Sequence, residues 1–119
     1  MSKIGNPVLD STLSALKRAS KSSGAAVWLD ASRYLSGSRS RKPTVNVGKI
    51  DRVAGKDSVI LVPGKVLGSG ALSHPIVVGA YSYTATARKK IVEAGGEALT
   101  IPKFLERFPS GAGVTLIGG

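Results

Sequence analysis

Residues 60–95 read ILVPGKVLGSGALSHPIVVGAYSYTATARKKIVEAG. An apolar run, Val59–Val62, enters a turn at Pro63-Gly64. Lys65 and Val66-Leu67 follow, then the glycine loop Gly68-Ser69-Gly70. A second apolar run, Ile76–Ala80, leads through Tyr81 and Tyr83 to a helical pattern that ends at Gly95-Gly96. The order is strand, glycine-rich loop, strand, helix. A loop without Cβ atoms lets backbone N–H groups approach a ligand, and in a basic chain that ligand is expected to be a phosphate. On this reading Gly68→Val costs binding more than folding.

Both nucleotide-site patterns fail on the residues present. A dinucleotide fingerprint needs glycine at position 73, where Ser73 stands, and the chain then runs to Pro75 and a strand rather than into a helix. A phosphate-binding P-loop ends in Gly-Lys-Ser/Thr, but Gly64-Lys65 precedes Val66 and Gly48-Lys49 precedes Ile50. His74 is the only histidine, and no Asp or Glu lies between Asp57 and Glu93 to orient it locally. It reads as a solvated or phosphate-contacting side chain, not a catalytic one.

Downstream, Thr84 is a candidate cap for a helix whose buried stripe is Ala87, Ile91 and Ala94. Arg88, Lys89 and Lys90 fall mostly outside, as a solvated face or an RNA contact. Glu97–Thr100 reads as a short strand. Ile101, Phe104, Leu105 and Phe108 then trace one helical face, with Pro102 in the first turn and Pro109 as the stop. Residues 113–119 supply a last strand.

Upstream, residues 1–6 read as a flexible arm. Asn6-Pro7 is a helix start, and Leu9, Leu13 and Leu16 repeat on one stripe, with Gly24 suited to the C-terminal end. Lys17, Arg18 and Lys21 lie off that stripe near the C-terminal end, either solvated or on RNA. Residues 25–35 form a second short helix with Trp28, Ala31 and Leu35 on one face, and Trp28 is expected as a core anchor. Ser36–Pro43 (SGSRSRKP) has no apolar residue and is expected to be a basic loop that orders against phosphates through Arg39, Arg41 and Lys42. Thr44–Val47 alternates as a strand. Gly48–Ala54 reads as a short helix with Ile50 inward and Lys49 and Arg52 on one outer face; Asp51, off that face, is expected to be merely solvated. The helix start near Gly48 would itself favour a phosphate.

The chain has 119 residues and a net charge of +10, from 17 Lys and Arg against seven Asp and Glu. Such an excess repels itself and attracts polyanions, so nucleic acid is the expected partner and an anionic membrane surface the alternative. Residues 1–65 carry most of the excess, which marks that half of the sequence as the binding half. There is no cysteine, so disulfides and thiolate metal sites are excluded. No apolar run approaches the ~20 residues that span a bilayer. Six aromatic residues leave a core mainly of Val, Leu, Ile and Ala under many glycines, a pattern of thin layers without a large cofactor cavity.

The stretches Asn6-Pro7 with Leu9, Val27-Trp28, residues 45–50 (VNVGKI), residues 62–70 (VPGKVLGSG) and Lys89–Gly96, in this order and spacing, resemble the archaeal and eukaryotic large-subunit ribosomal protein family L-eighteen-e, homologous in its C-terminal part to bacterial L-fifteen. The resemblance implies an irregular superhelix of short strand–strand–helix units with N-terminal helices, within the α/β class, and a structural rather than catalytic role bound to large-subunit rRNA. The expectation is therefore a single rRNA-binding domain over residues 1–119 that clamps rRNA and works in the cytoplasm as a monomer within the ribosome, beside neighbouring large-subunit proteins. The RNA-binding candidates are Arg39, Arg41, Lys42, Lys49, Arg52, Lys65, Gly68, Ser69 and Gly70, with Lys17, Arg18, Lys21, His74 and Lys89 as weaker ones. No cofactor, metal, membrane or small-molecule substrate is expected. The alternatives are a free-standing RNA chaperone or other nucleic-acid-binding module, and an enzyme acting on a phosphorylated small molecule at the glycine loop; the enzyme reading lacks a nucleophile–base pair and a metal constellation in the sequence.

Overall fold

A computed structural model describes residues 7–36 and 43–118. Two helices, α1 (Pro7–Ser23) and α2 (Ala26–Ser36), precede an alternating series. It runs β1 (Thr44–Asn46), α3 (Val47–Val53), β2 (Val59–Leu67), β3 (Val77–Tyr83), α4 (Ala85–Glu93), β4 (Glu97–Thr100), α5 (Ile101–Arg107) and β5 (Val114–Leu116). All strand pairs are parallel, in the order β1-β2-β3-β4, with β5 beside β2. This is the α/β class the sequence implies, and the expected strand–strand–helix order is seen in β2, β3 and α4.

Local chemistry accounts for most boundaries. Gly24 closes α1 at φ +72°, and its N–H donates to the Ser20 carbonyl. The Thr84 hydroxyl accepts from the Ala87 N–H and starts α4, and Gly95, at φ +89°, follows its end. Pro102 sits in the first turn of α5, where its missing N–H costs nothing. The proposed cap Asn6 and the basic residues Arg39, Arg41 and Lys42 lie outside the described residues.

The sheet is covered on both faces. Ile60, Val62 and Val66 of β2 pack with Val78 and Ala80 of β3 under α3 (Val47, Ile50) and α4 (Ala87, Ile91). The intervening Leu61 joins Leu16 of α1, Trp28, Ala31 and Leu35 of α2, and Ile101, Phe104 and Leu105 of α5 on the other face. A strand buried on both sides reads as a continuous apolar run rather than an alternating one, which is why Val59–Val62 looks as it does. Trp28 is the anchor expected: fully buried, edge-on to Phe104 at 6.1 Å, with its indole N–H donating to the Pro109 carbonyl at 3.2 Å. Phe104 fits because residue 79 is glycine; a Cβ there would stand 2.5 Å from Phe104 Cδ1 and 2.7 Å from its Cβ.

Several boundaries differ from the sequence reading: the last strand spans Val114–Leu116 rather than residues 113–119, and two further differences have a clear physical cause. Val47 begins α3 rather than ending β1. Pro63-Gly64 is not a turn: β2 runs through it, and the register with β3 slips there, from Val62↔Ala80 to Lys65↔Ser82. The extra residue makes a bulge, a place where a proline without an N–H is tolerated within a sheet. Gly64 is required because a side chain would run into the Pro43 carbonyl, which accepts the Lys65 N–H at 3.0 Å. The bulge divides one edge of β2 between two partners, β5 along Val59–Leu61 and β1 along Lys65–Leu67.

Candidate nucleic-acid interface

Parallel strands need a crossover, usually a helix. Between β2 and β3 residues 68–76 serve instead, as an extended strap between α3 and α4. Its polar anchors come from both helices and from the end of β1. The Ser69 N–H donates to Asn46 Oδ1 at 3.2 Å, and the Ser69 carbonyl accepts from the Gly48 N–H at 3.0 Å. Lys90 Nζ donates to the Gly68 carbonyl at 2.6 Å and to the Gly70 carbonyl at 2.5 Å. At the far end, Asp51 Oδ1 accepts from the Ser73 N–H at 2.9 Å and the Ser73 hydroxyl at 2.8 Å, and His74 Nε2 stands 3.2 Å from the same oxygen. These contacts hold the Asp51 carboxyl below its usual range, first through the Ser73 N–H, then the Ser73 hydroxyl, with His74 and Arg52 adding to them.

This geometry corrects the reading of the glycine loop. A Cβ on Gly68 would lie 2.6 Å from Thr86 Cγ2, and one on Gly70 would lie 2.6 Å from Gly48 Cα. The glycines let the strap lie against the first turns of α4 and α3. The Ser69 N–H is spent on Asn46, and the Gly48 N–H at the start of α3 on Ser69. These two donors are therefore not open to a ligand. Gly68→Val is therefore expected to cost folding as well as binding.

Asp51 is not merely solvated; it ties α3 to the strap. Lys90 is half-buried and turned inward, unlike exposed Arg88 and Lys89. Its signal was present in the sequence: Ala87 and Ala94, at i−3 and i+4, put Lys90 on the buried side of the helix. Asn46 gave no comparable signal, because its partner Ser69 is distant in sequence. The carboxylate that His74 lacks locally is supplied by Asp51 from the preceding helix. It does not make a catalytic triad, since there histidine must bridge the serine and the carboxylate. Here the Ser73 hydroxyl and His74 both turn to Asp51 Oδ1, and His74 Nδ1 is buried without a hydrogen bond.

The candidate residues do not form one patch. Lys49 and Arg52 on α3, Ser69 and His74 in the strap, and Lys89 on α4 share one face of the sheet. Lys17, Arg18 and Lys21 are exposed on α1, across the sheet. Strand alternation after the bulge turns Lys65 away from Val66 and so toward the α1 and α2 side. The described bases of residues 1–65 therefore lie on both faces of the sheet rather than on one. Arg33 pairs with Asp30 at 3.6 Å and Arg107 with Glu97 at 2.7 Å, whereas Lys17, Arg18, Lys21, Lys65 and Lys89 have no carboxylate partner among the described residues. Among those residues no group of three metal-ligating side chains converges, and no helix is long and apolar enough to cross a membrane.

A positively charged three-layer α/β protein with exposed bases on both faces and a tightly anchored strap is built to hold a polyanion on its surface. A family model described as "Ribosomal protein 60S L18 and 50S L18e" matches residues 12–119, and the chain belongs to this family. It is 43% identical over 112 residues to "Large ribosomal subunit protein eL18" of Methanothermobacter thermautotrophicus, covering 94% of this chain and 93% of the relative. The protein of the same name from Haloarcula marismortui is 43% identical over 112 residues, covering 94% and 96%. That from Pyrobaculum aerophilum is 38% identical over 102 residues, covering 86% and 84%.

Proposed function

We propose that this chain, a structural constituent of the large ribosomal subunit, binds and clamps large-subunit rRNA as one domain over residues 1–119. It sits there as a single copy beside neighbouring ribosomal proteins, in the cytoplasm with the ribosome. The observation that carries this reading is the set of exposed bases Lys17, Arg18, Lys21, Lys65 and Lys89, which pair with no carboxylate among the described residues and are mounted on helices and a strand of the packed fold. Phosphates meet side chains, with counterion release driving much of the affinity. Arg52 offers a planar fork that can bridge two phosphate oxygens, and Lys49 and Lys89 act as point charges on either side of the strap. Recognition is by backbone and shape, since the narrow major groove of A-form RNA excludes side chains. The strap's part is to fix the spacing of α3 and α4.

The test is the salt dependence of binding to a large-subunit rRNA fragment. Replacing Lys49 and Arg52 together by Ala lowers affinity and flattens the plot of log K against log salt by about 1.4–1.8, the share of two phosphates. An unchanged slope would remove this face from the RNA.

A further inference from the structure

Helix α4 presents different chemistry on its two flanks. Lys90 turns to the strap on one of them. Arg88, two residues earlier, is about 200° around the helix axis and so on the other flank, above the end of β3. There its guanidinium carbon lies 5.1 Å from the centroid of the Tyr83 ring. That ring is held in place, because the Tyr83 hydroxyl stands 2.6 Å from the Leu99 carbonyl of β4 and 2.9 Å from the Val78 carbonyl of β3. The π face of a fixed ring attracts a cation and keeps it there. Arg88 is exposed, and among the described residues no carboxylate pairs with it. Val92, one helical turn further on and therefore beside Arg88, is 58% exposed although it is apolar.

We infer that Arg88 and Val92 receive an unpaired nucleobase of the rRNA. This rests on the rRNA-binding reading and adds a contact with a base to the contacts with phosphates. A planar guanidinium with one side on a tyrosine ring keeps its other side for a second π system, and the face of a base is such a partner. Paired bases are covered above and below by their neighbours in the stack, so only a loop, a bulge or a strand end offers a free face. Val92 supplies what a phosphate site has no use for, an apolar side chain against the edge of the base. Lys89, the next residue after Arg88, offers a charge without a plane and suits a phosphate. The net charge of +10 draws the polyanion to the surface, and the Arg88 plane then takes hold of the base.

The experiment uses the full chain and a large-subunit rRNA fragment in which aminopurine, a fluorescent adenine analogue, replaces each unpaired base in turn, one per preparation. The wild-type chain is expected to change the fluorescence at one or more of these positions. R88K keeps the charge and the helix propensity but loses the plane. It is expected to abolish that change and to weaken binding about tenfold, the scale of one stacked base, with the slope of log K against log salt unaltered. V92S is expected to reduce the fluorescence change and to leave the slope alone. Thermal unfolding checks that both variants fold. Binding that changes the fluorescence at no position overturns the inference, as does an R88K chain that binds and alters it like the wild type. Wild-type affinity in R88K together with a slope flattened by about 0.9 in R88Q also overturns it, and makes Arg88 a phosphate contact only. If the wild-type chain binds the rRNA fragment no better than unrelated RNA of equal length, the rRNA-binding reading itself fails and this inference fails with it.

Discussion

Replacing Lys90 by methionine keeps most of the aliphatic stem and removes only the ammonium group. The Gly68 and Gly70 carbonyls then lose the donor that holds them at 2.6 and 2.5 Å. A hydrogen bond to a charged group contributes about 1.5–3 kcal/mol when buried. Lys90 is half-buried and Gly70 exposed, so water replaces part of each bond, and about 1 kcal/mol apiece is the appropriate scale. The expected loss is about 2 kcal/mol, or about 8 °C in Tm for a chain of this length. Thermal unfolding measures the total, and hydrogen exchange at the Ser69 and Ser73 amides localises it to the strap. RNA binding separates positioning from direct contact: affinity falls through the disordered strap, while the salt slope moves by less than the share of one phosphate. Unchanged Tm and unchanged amide exchange would refute the anchoring role. A slope flattened by the full share of one phosphate would put Lys90 on the RNA instead.

Other outcomes follow from single positions. Gly79→Ala pushes a methyl group into Phe104, which is fully buried, and should cost about 2 kcal/mol in urea unfolding; the double change with Phe104→Leu recovers part of that loss. Asp51, whose folded carboxyl lies below the ordinary value of 3.8, contributes stability above that value and loses it as pH falls through the folded one. Asp51→Asn should therefore flatten stability against pH below about pH 4 and speed exchange of the Ser73 amide. Burial pushes the Tyr83 phenol far above its usual range; its hydroxyl lies 2.6 Å from the Leu99 carbonyl and 2.9 Å from that of Val78, with one proton to donate. Its raised value means the contribution is complete below about pH 10 and lost above it, so Tyr83→Phe should cost about 1 kcal/mol at neutral pH and blunt the alkaline loss of stability.

The α/β frame was legible because its signals are local. Thr84 caps, Gly24 and Gly95 close, and Ile101, Phe104 and Leu105 repeat at helical spacing, so each element can be read from its own residues. The Pro63-Gly64 bulge was not legible. The same dipeptide makes a turn or a bulge, and the choice lies with Pro43, whose carbonyl needs the Lys65 N–H. The glycine loop misled for a related reason. Gly68 and Gly70 could admit a ligand or a helix, and only Thr86 and Gly48, both distant in sequence, show that helices occupy the space. Asp51 and His74 meet through the strap, so no window around His74 could have supplied its carboxylate. Lys90 is the exception: its helical spacing already placed it on the buried side, against the habit of reading three consecutive bases as one solvated face.

The central claim, that this chain is an integral rRNA-binding part of the large subunit, is tested most directly by sedimenting cell lysate through a sucrose gradient and washing the large-subunit fraction with high salt. The account predicts that the protein co-migrates with large subunits and survives the wash in wild-type form. Migration as a free small protein, or complete release at moderate salt, would contradict it.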